Sequence, residues 1–144
     1  MILRIEVLGT PAPQGSKKGY VRGGRAVLVE SSKAVQPWRE AIVSQCIRSG
    51  ASGLMLDGPI HVDIAFRLKR PAGHTGKKGL LKSAPIKPWR GLDLDKLVRS
   101  TLDGITQAGV WVDDSRVVLL RAVKVYADDR PTGASIVIEA MGAE

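Results

Sequence analysis

The stretch from Ile60 to Tyr126 changes its hydrophobic period twice, which restricts the chain to folds that mix helix with sheet. Ile60, Val62, Ile64, Phe66 and Leu68 alternate with His61, Asp63, Ala65 and Arg67, the pattern of a half-buried strand. Leu94, Leu97, Val98, Leu102 and Ile105 then recur at intervals of 3, 1, 4 and 3 residues, which places them on one face of a helix. Gly109 ends that helix, and Val117 to Tyr126 is again a β-branched strand. Ile2 to Leu8 predicts a first strand. Tyr20–Arg22 and Ala26–Val29 predict a hairpin turning at Gly23-Gly24. Ser31 and Ser32 offer caps for a helix that runs to about Ser49 and carries Val35, Trp38, Ile42, Cys46 and Ile47 on its apolar side. Ala134 to Ala140 closes the chain with a strand. The expectation is one α/β (α+β) domain over all 144 residues, a mixed β-sheet with two main helices packed on it.

Several function classes drop out. No apolar run approaches the roughly 18 residues of a membrane span, and Glu6 interrupts the N-terminal apolar run, so a secretory leader is not expected. A cytoplasmic location is the default. Cys46 is the single cysteine and His61 and His74 are the only histidines, so a zinc centre is improbable and an intrachain disulfide impossible.

Charge points toward a partner. Lysine and arginine number 22 against 14 acids, a net charge of +8, which favours phosphate-rich ligands. Lys17, Lys18, Arg22 and Arg25 lie around the hairpin with no acid among them. A basic arm at about 69–91 carries Lys69, Arg70, Lys77, Lys78, Lys82, Lys87 and Arg90, again with no acid, and is rich in proline and glycine. So long a loop in so small a domain is either functional or a solvated excursion. Trp89 within it either stacks on an unpaired base or anchors the arm.

The acids are gathered directly after the arm. In Asp93-Leu94-Asp95 two carboxylates meet at a strand-to-helix junction, with Leu94 free to enter the core. Asp113-Asp114 follows at the other end of the helix. If the chain folds back after Gly109, the two acidic pairs converge, and such mutual repulsion is relieved by a hard divalent cation, Mg²⁺ or Mn²⁺. Lys96 and Arg99 stand close enough in sequence to offset charge developing on a phosphate. The plainer alternative is that these aspartates only cap a helix and make a turn. Asp103 reads as a surface partner of Arg99, and Cys46 as core.

Leu92-Asp93-Leu94-Asp95-Lys96-Leu97, followed by Leu102-Asp103-Gly104-Ile105-Thr106-Gln107-Ala108-Gly109-Val110-Trp111-Val112-Asp113-Asp114, resembles the RusA family of Holliday-junction resolvases. The resemblance implies a homodimeric, Mg²⁺-dependent endonuclease that resolves four-way DNA junctions by paired symmetric nicks, with no organic cofactor and no membrane partner. It places Asp93, Asp95 and Asp114 at the family's metal-binding aspartates and Asp113 at their acidic neighbour. Lys96 stands where the family often has asparagine, and Arg99 where it has a catalytic-region lysine. Arginine keeps the charge and clamps phosphate in two-pronged fashion, but does not readily give up a proton. Two other readings stay open: a noncatalytic basic nucleic-acid-binding module, and a metal nuclease for other branched DNA.

Overall fold

The computed structural model describes residues 1–15, 17–30 and 33–142, with the backbone alone for 17–22 and 25–30. Strands β1 (Ile2–Leu8), β2 (Lys17–Arg22) and β3 (Arg25–Glu30) precede helix α1 (Val35–Arg48). Strand β4 (Ile60–Leu68), the two-residue strands β5 (Thr75–Gly76) and β6 (Gly79–Leu80), helix α2 (Leu94–Gln107), β7 (Val117–Tyr126) and β8 (Gly133–Ala140) follow. Ser31 and Ser32, the expected caps of α1, lie outside the described residues. Ala34 occupies the cap position and makes no side-chain capping bond.

The main sheet has the order β1-β8-β4-β7. β8 runs antiparallel to both its neighbours, whereas β7 runs parallel to β4. A parallel neighbour cannot be reached by a tight turn, so the chain crosses over between β4 and β7, and α2 makes that crossing. The expected alternation then sorts the side chains. Ile60, Val62, Ile64 and Phe66 of β4, Ile136 and Ile138 of β8, and Ile5 and Val7 of β1 are all buried with the helices. α1 contributes Trp38, Ile42 and Cys46, and α2 contributes Leu97, Val98 and Ile105. Each fully buried apolar side chain stabilises the fold by roughly 1.5–3 kcal/mol. Burial pushes the Cys46 thiol up to about 11, so it stays protonated and unreactive.

Helix α2 is held from three directions. The buried Trp38 indole of α1 donates to Thr101 Oγ1 at 3.1 Å. The Ser100 hydroxyl donates to the Ala12 carbonyl at 2.6 Å, and the Gln14 amide donates to the Lys96 carbonyl at 3.0 Å. Trp111 packs at its C-terminal end, as described below.

The basic arm is more ordered than its composition predicts. A 3₁₀ turn over Ala72–His74 leads into the β5–β6 hairpin. Arg70 reaches back to clamp it: its guanidinium donates to Asp128 at 2.6 Å and to the Pro85 carbonyl at 2.8 Å, and lies 4.1 Å from the Tyr126 ring centroid. The arm therefore stands at a fixed place beside the ends of β4 and β7.

The turn into β8 is the tightest point in the sheet. Gly133 pairs with both Leu8 and Arg67, at φ +152°, and a Cβ there would lie 2.0 Å from the Val7 carbonyl oxygen. Gly133→Ala is expected to destabilise the domain by about 3 kcal/mol, the range of an overpacked core position. Urea unfolding measures this, and a loss below about 1 kcal/mol would show that the strand shifts to accommodate the methyl.

Candidate active site

The acidic residues are positioned by the two ends of α2. At the start, Asp93 takes the cap position in extended conformation, yet its side chain makes no capping hydrogen bond. The ordinary structural use of an aspartate at a helix start is therefore not what occupies this carboxylate. Its partner is Lys96 Nζ at 3.5 Å, one turn along. Leu94 is partly buried against the core, as expected, and Asp95 is exposed in the first turn. Lys124, on the helix-facing side of β7, donates to the Leu92 carbonyl at 2.7 Å and so fixes the approach to Asp93.

At the other end the chain does fold back. Gly109 takes φ +72°, which a side-chain-bearing residue adopts only with strain, and the amides of Gly109 and Val110 return to the carbonyls of Thr106 and Ile105. Trp111 then inserts fully into the core, and its indole donates to Thr106 Oγ1 at 2.7 Å. Its backbone is tied to Leu56, with the Leu56 amide on the Val110 carbonyl and the Val112 amide on the Leu56 carbonyl. The 3₁₀ turn Asp114–Arg116 consequently packs against α2.

This return places Asp114 beside the middle of α2. Its carboxyl is raised above the ordinary aspartate range by partial desolvation, by hydrogen bonding to Asp113 and by the charges of Asp113 and Asp103, and Arg99 counters this. Asp113 moves the other way, held low chiefly by the Ser115 hydroxyl, which donates to it at 2.8 Å. Asp103 is not the simple partner of Arg99 that its spacing predicts. Its nearest cation is Arg39 of α1, at 3.8 Å. Arg39 is largely buried, hydrogen-bonds to Gln14, and keeps a buried Nε with no partner among the described residues.

The structure thus puts Asp114 next to Asp113 and within electrostatic reach of Asp103 and Arg99, and leaves Asp93 and Asp95 at the helix start. Among the described residues, no three acids, histidines or cysteines stand close enough to hold a metal ion. The donor set still fits a hard cation in kind, since it offers carboxylate oxygens only, and one of them carries an ionised form that its neighbours oppose.

Of the expected DNA-facing cations, Lys77 and Lys78 are exposed at the tip of the β5–β6 hairpin, and Lys87, Arg90 and Lys96 are exposed nearer α2. Lys69 is exposed beside the end of β4. Arg70 is spent on holding the arm. The side chains of Lys17, Lys18, Arg22 and Arg25 lie outside the described residues. Trp89 does not anchor the arm, because it is 67% exposed. Sequence reasoning missed Arg39 and Lys124. A lysine at an inward position of a β-branched strand was the available signal for Lys124. For Arg39 it was adjacency to Trp38 on the apolar side of α1.

Strand–arm–helix–strand connectivity with carboxylates at both ends of the crossover helix defines a small α+β domain with a polar, acid-lined edge. The endodeoxyribonuclease RusA family model matches residues 9–139, nearly the whole chain, and the chain belongs to this family. Membership implies endodeoxyribonuclease activity. The chain is also 22% identical over 130 residues to the uncharacterized protein YqaN of Bacillus subtilis (strain 168), spanning 88% of this chain and 89% of that one. No helix among the described residues is long and apolar enough to cross a membrane.

Because the Asp114 carboxyl is raised in the fold, its ionisation opposes folding. The folded chain holds the proton longer than the unfolded one, and stability falls as pH rises through that range. Asp114→Asn is therefore expected to raise Tm at pH 7 in EDTA, and the gain should vanish below about pH 4, where the unfolded carboxyl is also protonated. A lower Tm at neutral pH would contradict the electrostatic assignment.

Proposed function

We propose that this chain is a Mg²⁺-dependent endodeoxyribonuclease that resolves four-way DNA junctions by paired symmetric nicks. The observation that carries the reading is the return of Asp114 onto α2, the helix that Asp93 caps and whose first turn holds Asp95, in a chain of the RusA family. Asp93, Asp95 and Asp114 would hold the cation, with Asp113 as their acidic neighbour. A cation there would offset the repulsion that Asp114 already meets from Asp113 and Asp103. Bound there, a divalent cation supplies water activation and charge neutralisation at the scissile phosphate, and Mn²⁺ is expected to substitute for Mg²⁺.

The remaining roles fall to this chain's own groups. Arg99, beside Asp114, offsets charge on the phosphate as it is attacked, acting as a fixed cation rather than a proton donor. Lys96 loosens from Asp93 when phosphate offers a better partner. Lys69, Lys77, Lys78, Lys87 and Arg90 grip the backbone, so binding falls with salt. Lys17, Lys18, Arg22 and Arg25 of the hairpin extend that grip. Arg70 acts indirectly, by holding the arm that presents the others. Preference for the junction comes from the shape of the branch rather than from base edges.

Two equal cuts on a two-fold branched substrate call for two active sites related by the same symmetry, which a homodimer supplies. We place the dimer contact on β7, one of the sheet's two edge strands, which exposes Val118, Leu119, Leu120 and Val123.

Incubation with a synthetic four-way junction tests the reading. Paired nicks are expected with Mg²⁺ and none in EDTA. Asp93→Asn and Asp114→Asn should each lower cutting by about a thousandfold, the several kcal/mol that metal chemistry supplies, while junction binding stays equal or tightens. A shifted but uncut junction would favour a noncatalytic binding module, and equal cutting of flaps or linear duplex would favour a nuclease for other branched DNA.

A further inference from the structure

The arm leaves one feature that gripping phosphate does not use. Trp89 projects a large apolar ring into solvent, four residues before Asp93. It lines a cleft of about 540 Å³ with Pro71, Ser83, Pro85, Arg90 and Tyr126. A second cleft of about 350 Å³, toward Thr10 and Leu92, shares the Pro71, Arg90 and Tyr126 walls. Arg90 lies 4.4 Å from the Trp89 ring centroid, a cation over the π face.

We propose that this cleft is a seat for an unpaired DNA base, which stacks on Trp89 while Arg90 meets the adjoining phosphate. The proposal rests on the DNA-cleaving reading for its ligand class and adds how branched DNA is told from linear duplex. Three observations support it. First, the platform is fixed: the Trp89 amide donates to the Lys87 carbonyl at 2.9 Å, and Arg70 clamps the Pro85 carbonyl behind it. An exposed indole on a fixed backbone loses little freedom on binding. Second, the charge is complementary, since the chain from Lys69 to Arg90 carries seven cations and no acid. Third, the reach is short. Four residues span at most about 14 Å of extended chain, so a seated base lies close in its strand to a phosphate at Asp93.

Inside a duplex every base face is already covered by its neighbours. Only a base at a crossover, a gap or a single strand offers a face to the indole. A stacking seat therefore selects branch points without reading sequence, and the two clefts give the displaced base somewhere to go.

Indole fluorescence isolates the site, because Trp38 and Trp111 are 1% and 0% exposed and Trp89 is the accessible emitter. The probes are a short oligo(dT) strand and a linear duplex of mixed sequence, both in EDTA so that no cutting intervenes. Oligo(dT) is expected to quench the wild-type emission, the quench should vanish in Trp89→Ala, and strand affinity should fall roughly tenfold. Duplex affinity, set by phosphate contacts, should be unchanged. Trp89→Phe, which keeps a ring, should retain most of the strand affinity. Equal losses for strand and duplex in Trp89→Ala, or strand binding without quenching, would overturn the seat. Wild-type protein that cuts junctions with Mg²⁺ while failing these tests would leave the nuclease reading standing alone, whereas wild-type protein that binds neither probe nor junction overturns both.

Discussion

The seating of Trp111 is the constraint on which the site depends. The chain leaves α2 at Gly109 and would otherwise be free to pass into β7 by any route. A buried indole that donates to Thr106, and a backbone tied on both sides to Leu56, leave it a single route. That route lays Asp113 and Asp114 alongside α2, where Asp103 already carries negative charge. Such an arrangement is unfavourable on its own. Burial of the Trp111 side chain, among the largest in the core, offsets it through packing that has no electrostatic component.

A similar division of labour runs through the basic arm. Seven like charges on a loop repel one another, and a loop of that length would ordinarily sample many shapes. One of the seven prevents this. Arg70 turns inward to Asp128, the Pro85 carbonyl and the Tyr126 ring, and so gives up contact with a ligand to fix the others. Lys124 does the same at the far end of the arm by holding the Leu92 carbonyl. Between these two clamps, the exposed cations and Trp89 stand at a set distance from the start of α2. In the proposed reading a rigid frame of this kind selects by shape, because the spacing between cations and carboxylates cannot adjust to fit every substrate.

Most of the fold was legible because it rests on period. The alternation at Ile60–Phe66 and the helical spacing of Leu94 to Ile105 both reappear as burial, although Leu68, Leu94 and Leu102 are only partly covered and Arg67, expected to face outward, is buried. The start of α1 was less legible, since serine preference for caps is local and the helix begins after Ala34 instead. The order within the arm was hidden for a different reason. A proline- and glycine-rich stretch looks the same whether or not a distant Asp128 is there to hold it. At the site, the return of Asp114 was left open by spacing and is decided by Trp111, a contact between residues that periodicity does not connect. The pairing of Arg39 was hidden for the same reason: its partner Asp103 lies on the other helix, and nothing in either local pattern names the pair.

The two aspartates at 113 and 114 are adjacent, identical and both exposed, yet their surroundings push them in opposite directions. Asp113 is satisfied by Ser115, two residues on, and by the local turn, the ordinary use of an aspartate at such a position. Among the described residues Asp114 has no such hydroxyl partner. It faces the charges of Asp113 and Asp103 across α2, with Arg99 as counterweight. A turn needs only one of the pair, so turn chemistry explains Asp113 and leaves Asp114 unexplained. In the proposed reading the metal-binding role falls to Asp114 and the neighbour's role to Asp113. Local electrostatics and the proposed roles therefore divide the same dipeptide in the same way, although one rests on contacts across the fold and the other on the order of residues along the chain.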